Sequence, residues 1–535
     1  MRRVLSAAAG LFVLAACSDT LPVEQSRASM PRLAVSAAEK SNRYVVLLSP
    51  SASAEAFDRG VSSLGGTVEA FHKGAGFAVV DGLSSANAAK LARERGVQAV
   101  EPDLVAQVTE PVFAAEPELV AEATDVGVAS QARPDLAILF PRQWNQRAIG
   151  APAAWTAGRR GSASVKVAIL DSGIDDTYPD LAGLVDATRS ASFLPTASTV
   201  NTPCWEPTDH ELINGRAAYT YRPAPPAASV MCPALPPFHA GKPAWADLNG
   251  HGTFTAGVVS SKAVVFAGVT SNVTLMAVKV IGAKGSGSFS AIMRGVAFAT
   301  DNGADVINMS LGAVFLRHGG YIGFLNAITR YAHSRGVTIV VASGNEAIDL
   351  DHSGGVYAAF CSSGMVICVS ATGPQRAVNA AGNPSVNGPF FLPTPDEPAI
   401  YSNYGTSSVD VAAPGGNYVL DAEGKLVSAV WIWGACARTT LIPLDPPKES
   451  PPDTPPPFPY YAKACHTGIF ILGAVGTSAA APHASGLAAL LVENIGRSPG
   501  EVRTTMQEFA DDLGKPGADP HYGKGRINVP RALGL

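Results

Sequence analysis

The sequence is poor in charge and has almost no excess of either sign. Only 16% of its 535 residues are charged, and 39 basic side chains stand against 44 acidic ones, for a net charge of −5. Because nucleic-acid binding needs a basic face, this balance excludes a nucleic acid as the expected partner. A hydrophobic fraction of 47% excludes general disorder. The length suggests one domain of catalytic size and a smaller one.

Apolar runs long enough to span a membrane are also missing, and the apolar run near the N-terminus is shorter than such a span. Arg2 and Arg3 precede an apolar stretch of 13 residues, Val4 to Ala16, which is too short to span a bilayer and fits a signal peptide. It ends in Leu14-Ala-Ala-Cys17, which resembles a bacterial lipobox in which Cys17 is lipidated. An ordinary signal peptide with a chance cysteine is the alternative. Both interpretations predict export, either as a lipoprotein held in the cell envelope by its lipid anchor alone or as a secreted protein.

Cysteine is scarce, and no CxxC spacing occurs, which argues against a zinc site. Apart from Cys17, the remaining six of the seven cysteines fall into three couples that are close in sequence. In an oxidising compartment the simplest expectation is that each couple forms a disulfide. The expected pairs are Cys204 with Cys232, Cys361 with Cys368, and Cys436 with Cys465.

Changes of pattern along the chain predict its domains. The predicted order is a signal peptide at 1–16, a polar tether at 17–42, a small domain at 43–108, a linker at 109–140 and a large domain at 141–535. The small domain has the order strand, helix, strand, strand, helix, strand, which is typical of ferredoxin-like α+β modules. The linker is rich in Ala, Glu and Pro with weak periodicity, which indicates an exposed and cleavable segment.

The large domain alternates nearly continuous apolar runs with helical patterns. Such runs are typical of parallel strands that are covered on both faces. They predict an α/β fold with a doubly wound, mostly parallel sheet, and a functional site beyond the carboxyl ends of the strands. The predicted strands are 165–170, 273–281, 305–309 and 337–342, and the predicted helices are 251–261, 289–301, 322–335 and 479–494. Three Pro- and Gly-rich stretches are expected to be surface insertions: 195–246, 373–400 and 433–470.

Three short motifs lie at these strand ends and helix starts. Asp171 follows the first strand of the large domain, His251 opens a helix within a Gly-His-Gly-Thr run, and Ser478 opens another after Gly476-Thr477. Each motif alone is weak. Together, in the order Asp, His, Ser, they resemble the subtilisin-like (subtilase) serine peptidases.

The resemblance covers most of the chain from about residue 144 to its end and includes several further motifs: Asn308–Gly312, Ala342–Glu346, Tyr401–Gly405, Asp410–Gly415 and Gly523–Asn528. It implies a serine endopeptidase that acts on protein or peptide substrates and requires no cofactor. Ser478 would be the nucleophile, His251 the general base and acid, and Asp171 the group that orients the imidazole. Asn345 would donate to the oxyanion, and the substrate pocket would be lined by Ser310, Leu311, Gly312, Ala342, Ser343 and Gly344.

The same resemblance makes the small domain at 43–108 an inhibitory propeptide that binds the enzyme's own site. The precursor would then mature by its own cut within 102–140, and the mature enzyme is expected to be a monomer. Asp180 matches a calcium ligand of the family, but the segment 260–266 lacks the Asn-rich loop that usually completes that site. Because calcium needs six to eight oxygen ligands, we expect this site to be absent, and structural calcium elsewhere stays open.

Two departures from the family pattern affect packing rather than proton transfer. Phe254 stands where a second histidine is usual, and Ala479 stands where methionine is common. The alternative function is a catalytically silent surface lipoprotein that uses the fold for binding or adhesion, and an incomplete triad would favour it. An α/β-hydrolase esterase is disfavoured, because the residues around Ser478 do not form its GxSxG elbow.

Overall fold

The structure is a computed structural model, and the signal peptide, Cys17, Cys204, Cys232 and Gly312 lie outside the residues that it describes. The described residues are 42–107, 112–113, 118–122, 130–194, 212–213, 216–217, 243–282, 285–311, 314–316, 319–354, 356–358, 360–374, 395–418, 430–439, 465 and 468–535. Among them, no helix is both long and apolar enough to cross a membrane.

The helices and strands are numbered in chain order. The α-helices are α1 (Ala54–Ser63), α2 (Ser85–Leu91), α3 (Trp144–Ala148), α4 (Ala151–Thr156), α5 (His251–Val259), α6 (Phe289–Asp301), α7 (Gly319–Ser334), α8 (Thr477–Ile495), α9 (Pro499–Glu508) and α10 (Val529–Ala532). The strands are β1 (Tyr44–Leu48), β2 (Thr67–His72), β3 (Phe77–Asp81), β4 (Val97–Pro102), β5 (Val105–Gln107), β6 (Val112–Phe113), β7 (Glu118–Glu122), β8 (Lys166–Asp171), β9 (Ala191–Ser192), β10 (Leu212–Ile213), β11 (Arg216–Ala217), β12 (Thr274–Lys279), β13 (Ser286–Ser288), β14 (Val306–Met309), β15 (Val314–Leu316), β16 (Thr338–Ala342), β17 (Val356–Ala358), β18 (Ile367–Thr372), β19 (Val411–Pro414), β20 (Ile432–Ala435) and β21 (Gly468–Val475).

The small domain has the predicted α+β architecture. Its antiparallel sheet has the strand order β2-β3-β1-β4, and its two helices begin at serine caps, where Ser53 accepts from the Ala56 N–H and Ser84 accepts from the Asn87 N–H. The apolar side chains alternate along β1. Val46 packs with the helices in the small domain's own core, whereas Val45 packs into a core shared with the large domain.

The large domain is the predicted doubly wound α/β fold. Its sheet has seven strands, all paired in parallel, in the order β19-β18-β16-β14-β8-β12-β9. The strand β8 sits near the centre and divides its side chains between two cores: Val167 and Ile169 pack with α5 and α8, and Ala168 and Leu170 pack with α6 and α7. This two-sided burial explains the continuous apolar runs.

A third sheet was not predicted. Strands β20 and β21 form an antiparallel hairpin, and the other edge of β21 pairs with β6 and β7, which come from the interval expected to be a linker. The third predicted insertion, 433–470, is shorter than expected, because β20 includes its first residues and β21 its last. The weak periodicity of 109–140 hid these strands, since their partner lies hundreds of residues away in the chain.

Candidate active site

Asp171 and His251 meet at the carboxyl edge of the seven-stranded sheet. Asp171 ends β8, and its Oδ1 lies 2.6 Å from Nδ1 of His251, the first residue of α5. The two side chains are 1% and 3% exposed. Oδ1 also accepts from the Ser172 N–H at 2.7 Å, and Oδ2 accepts from the Thr255 hydroxyl at 3.3 Å. These contacts hold the carboxylate in one orientation toward the imidazole.

The turn before α5 is built around Asp247, which the sequence analysis missed. Burial raises the pKa of this carboxyl group, although several hydrogen bonds favour its charged form. Its oxygens accept from Ser172 Oγ at 2.8 Å, from the Gly250 N–H at 2.8 Å and from Thr253 Oγ1 at 2.6 Å. Asp247 therefore ties the residue after Asp171 to the start of the helix that carries His251. An acidic residue four positions before a histidine is too common a pattern to have indicated this.

Two glycines let α5 approach the Asp171 turn closely. Gly250 has a φ of 101°, which L-residues with a side chain rarely adopt. At Gly252, an added Cβ would overlap the carbonyl oxygen of Gly173. The Gly-His-Gly run is thus required by backbone geometry on both sides of the histidine.

Ser478 lies at the start of α8, a helix that packs against α5. The residue is 3% exposed, and its Oγ has no hydrogen-bond partner within the described part of the chain. Its backbone carbonyl accepts from the Ser310 hydroxyl at 2.8 Å, which anchors the first turn of the helix to the end of β14. A helix start supplies backbone N–H groups and a positive dipole end, and both stabilise negative charge.

Asn345 is held by the residue before Ser478. Its Oδ1 accepts from the Thr477 N–H at 2.8 Å and from Thr477 Oγ1 at 2.9 Å. Thr477 Oγ1 in turn accepts from the Gly344 N–H at 3.1 Å. Because the amide group is planar, anchoring the oxygen on Thr477 directs the NH₂ group away from that residue. Thr477 is a positioning residue that the sequence analysis did not identify.

The residues expected to line the substrate pocket follow two neighbouring strands of the sheet. Ser310 and Leu311 follow β14, and Ser343 and Gly344 follow Ala342 at the end of β16; Gly312 lies outside the described residues. The second wall is braced by a residue that was not predicted. Asn403 donates to the Ser343 carbonyl at 2.9 Å and to Glu346 Oε2 at 2.6 Å. Glu346, which follows this wall in the chain, thus has an amide partner.

Two of the expected disulfides lie in the described part of the chain. Cys361 and Cys368 are bonded with Cα atoms 5.0 Å apart, and Cys436 and Cys465 with Cα atoms 5.9 Å apart. The first joins the turn before β18 to that strand, next to the Ala342 carbonyl. The second closes the base of the insertion between β20 and β21.

Asp180, the family's calcium-ligand position, faces hydrogen-bond donors in this chain. Its carboxylate accepts from Ser261 Oγ at 2.7 Å, from the Val264 N–H at 3.0 Å and from the Val265 N–H at 3.1 Å. Burial raises the pKa of Asp180 to about 6. Because N–H donors surround the carboxylate where a cation would need oxygen ligands, these residues do not fit calcium. No group of three or more metal-binding side chains occurs elsewhere among the described residues.

Comparison with known proteins points to one family. A model of the subtilase family matches residues 162–525, which is more than half of the chain. Thermitase from Thermoactinomyces vulgaris is 27% identical over 395 residues, covering 73% of this chain and 96% of thermitase. Subtilisin Savinase from Lederbergia lenta is 27% identical over 394 residues, covering 73% of this chain and 97% of that protein.

Solved structures agree with the fold. The epidermin leader peptide processing serine protease from Staphylococcus aureus has a TM-score of 0.60 at 18% identity, covering 93% of this chain and 98% of that one. Fervidolysin from Fervidobacterium pennivorans, described as a keratinolytic enzyme related to subtilisin, has a TM-score of 0.57 at 20% identity, covering 92% and 61%. With the family model matching most of the large domain, the chain belongs to the subtilase family and is a subtilisin-like serine endopeptidase.

Proposed function

We propose that Ser478, His251 and Asp171 form the catalytic triad of this enzyme. The observation that carries the proposal is the buried 2.6 Å contact between Asp171 Oδ1 and His251 Nδ1. This contact leaves the Nε2 side of the imidazole for proton transfer with the hydroxyl at the start of α8. A serine hydroxyl is a poor nucleophile at neutral pH unless a base accepts its proton during attack.

The reaction would proceed through an acyl-enzyme. His251 takes the proton of Ser478 as Oγ attacks the carbonyl carbon of the scissile bond, and then protonates the leaving amine. A water molecule, deprotonated by the same imidazole, hydrolyses the ester and restores the hydroxyl. Asp171 keeps its charge throughout and stabilises the imidazolium.

The oxyanion would be stabilised by the Asn345 amide and the backbone N–H of Ser478. Anchoring of Asn345 Oδ1 on Thr477 supports this role, because a donor that is already oriented need not reorganise during the reaction. The substrate would bind as an extended peptide between the walls that follow β14 and β16, adding a strand to each.

The small domain, residues 43–108, would act as an inhibitory propeptide on the enzyme's own site. The pairing of β5 with β13 supports this role. β13 lies just past β12, and the residue after β12, Val280, donates its N–H to the Asp171 carbonyl at 2.8 Å. The precursor would be exported by its signal peptide, either anchored through lipid on Cys17 or secreted, and would cut itself within 102–140.

A comparison of wild type with Ser478→Ala tests this proposal. We expect wild type to be processed and to react with a serine-directed fluorophosphonate, and Ser478→Ala to do neither. Ser164→Ala, in an exposed turn, is the matched control and should behave as wild type. If wild type and Ser478→Ala mature identically and neither is labelled, the alternative of a catalytically silent binding protein is favoured.

A further inference from the structure

The helix that carries Ser478 contains a proline one turn after it. α8 runs from Thr477 to Ile495 and includes Pro482. In an α-helix, each carbonyl accepts from the N–H four residues later, which for Ser478 is the residue at position 482. Proline has no N–H, and its ring crowds the carbonyl four residues before it. The Ser478 carbonyl therefore lacks its normal helical donor, although it belongs to the residue that is proposed as the nucleophile.

A side chain at the end of a neighbouring strand supplies a donor instead. The hydroxyl of Ser310, the residue after β14, donates to the Ser478 carbonyl at 2.8 Å. The two residues are 1% and 3% exposed. A buried carbonyl without a partner costs free energy comparable to that of a lost hydrogen bond. The Ser310 hydroxyl thus compensates for the N–H that is missing at Pro482.

Two further side chains extend this contact into a buried network. Asn308 Nδ2 lies 3.0 Å from Ser310 Oγ, and the Ser485 hydroxyl lies 2.8 Å from Asn308 Oδ1. Asn308 belongs to β14, and Ser485 belongs to α8, two turns after Ser478. Both are 0% exposed. The network, which we define as these three side chains, therefore starts on α8, crosses to β14 and returns to α8 at Ser478.

The direction of each hydrogen bond in the network follows from its last acceptor. A backbone carbonyl can only accept, so the single hydroxyl proton of Ser310 is committed to Ser478. Ser310 Oγ then accepts from the amide of Asn308, which places Nδ2 toward Ser310 and Oδ1 toward Ser485. Buried hydrogen bonds that run in one direction polarise and strengthen one another. The three side chains therefore act as one unit on the Ser478 carbonyl.

β14 gives the network a fixed base next to the strand that carries Asp171. It lies inside the seven-stranded sheet and pairs in parallel with β16 on one side and β8 on the other. Asn308 is in register with Ile169, two residues before Asp171 in β8. A donor fixed to β14 thus sets the position of Ser478 relative to Asp171. Catalytic rates are sensitive to such positions, because a misplacement of about 1 Å can cost about 100-fold.

We propose that the network replaces the helical hydrogen bond lost at Pro482 and holds Ser478 in its reactive orientation. Its members are positioning residues: Asn308, Ser310 and Ser485. The inference rests on the proposed function, because it takes Ser478 as the nucleophile. It gives the side chain of Ser310 a role on the enzyme's own backbone, while its main chain is left for an extended substrate. Loss of the network should therefore lower kcat rather than raise KM.

The first test uses Pro482 to ask whether the network stands in for a helical hydrogen bond. In the mature enzyme, Ser310→Ala should lower kcat about 10- to 100-fold with little change in KM. Pro482→Ala restores an N–H that can reach the Ser478 carbonyl, so adding Ser310→Ala in that background should lower kcat by no more than about twofold. The control is Thr329→Val, which removes a buried hydroxyl that donates to the Leu325 carbonyl of α7 at 2.8 Å and should leave kcat unchanged.

Two kinetic results would overturn the inference. One is an unchanged kcat in Ser310→Ala, or a loss that appears mainly as a higher KM. The other is an equal loss of kcat from Ser310→Ala with and without Pro482→Ala, because a donor restored within the helix should make the Ser310 hydroxyl dispensable.

The second test does not require catalysis. Full-length Ser478→Ala keeps the backbone carbonyl at position 478. In that protein, Ser310→Ala should speed hydrogen exchange of the Ala480 and Ala481 amides about tenfold, Pro482→Ala should reverse the change, and the Thr329→Val control should have no effect. Unchanged exchange in Ser310→Ala would overturn the inference. Absence of turnover by wild type would instead refute the proposed function, and the exchange measurement would still report on the network.

Discussion

The sheet of the large domain and the sheet of the small domain are held in place in different ways. The seven parallel strands of the large domain are covered by helices on both faces, and every residue of β14, β16 and β18 is buried. The antiparallel sheet of the small domain covers one face with its own helices, α1 and α2, and lays the other against α6 and α7 of the large domain. Both faces of the large domain's sheet are thus inside one domain. The small domain's sheet has one face in its own core and the other in the interface with the large domain.

The interface of the small domain combines an apolar centre with charged contacts. Phe77 and Val79 share a core with residues of α6 and α7. Around them, Arg43 lies 2.9 Å from Asp103 within the small domain, and Asp103 accepts from the Ser290 N–H at 2.8 Å at the start of α6. An apolar centre combined with hydrogen-bonded polar groups is typical of interfaces between folded units. The small domain therefore meets the large domain across an interface that includes a buried carboxylate, whereas the large sheet forms the core of its own domain.

The largest expected effect comes from breaking this interface at Asp103. Its side chain is 1% exposed, so Asp103→Ala removes the buried acceptor of the Ser290 N–H and hydroxyl and leaves Arg43 with Glu69 as its acidic partner. We expect the small domain's free energy of opening to fall by about 3–5 kcal/mol. Hydrogen exchange of β1 and β3 in the Ser478→Ala background measures it, with the large sheet unaffected. Asp135→Ala, which removes an exposed ion pair with Arg133, is the control and should leave the opening of the small domain unchanged, and an equal loss in both variants would contradict the comparison.

The next largest effect is expected on the catalytic rate, with no effect on the docking of the small domain. Asn345→Ala should lower kcat about 100- to 1,000-fold with little change in KM, because the amide acts only as the oxyanion forms. Docking of the small domain should be unchanged, since Asn345 contacts Thr477, next to Ser478, and lies outside the charged contacts at Asp103. Steady-state kinetics of the mature enzyme provide the measurement. Unchanged kcat would remove Asn345 from the proposed oxyanion site.

The stability of the large domain should depend on pH because its core contains a buried histidine, His483. Burial lowers the pKa of His483 to about 4; Nδ1 donates to the Ala479 carbonyl, so Nε2 is the acceptor for Asn145 Nδ2, both at 2.8 Å. The unfolded chain takes up this proton near pH 6.5, whereas the folded chain resists it down to about pH 4. The contribution of neutral His483 to the free energy of unfolding is therefore fully present well above pH 6.5. As the pH drops to 4, the free energy of unfolding falls by about 3 kcal/mol.

Urea unfolding of Ser478→Ala against pH measures this loss. His483→Gln keeps a side chain that hydrogen-bonds but does not titrate, so its stability should depend less on pH over the same range. The same pH slope in both proteins would show that His483 does not account for the acid sensitivity.

The smallest expected effect concerns the Cys361–Cys368 disulfide of the large domain. It closes a loop with a sequence separation of 7 residues. Loop entropy of that size corresponds to about 2.5 kcal/mol. Cys361→Ser/Cys368→Ser should therefore destabilise the large domain by about this amount in urea and leave the opening of the small domain unchanged. A larger loss at β1 than in the large sheet would contradict the separation of the two regions.

Local pattern was sufficient for much of the fold. Strands β8, β12, β14 and β16 were predicted because strands buried on both faces are continuously apolar, and the small domain was predicted because its order of strands and helices is typical of ferredoxin-like modules. β18 and β19 were missed, since they lie on either side of the Pro- and Gly-rich stretch 373–400. β6 and β7 were missed because nothing near them in sequence indicates β21 as their partner.

The sequence by itself determined the chemistry that the site can contain. The types and order of Asp171, His251 and Ser478, the glycines beside the histidine and the local cysteine couples are all properties of short segments, and short segments can be recognised without their partners. Tertiary structure alone decided what holds that site in place. Asp247, Thr477 and Asn403 act through buried hydrogen bonds to residues that are distant in the chain or set by a turn. The pairing of β6 with β21 depends in the same way on a partner more than 300 residues away, and the free energy of such contacts comes from burial and geometry that no local pattern encodes.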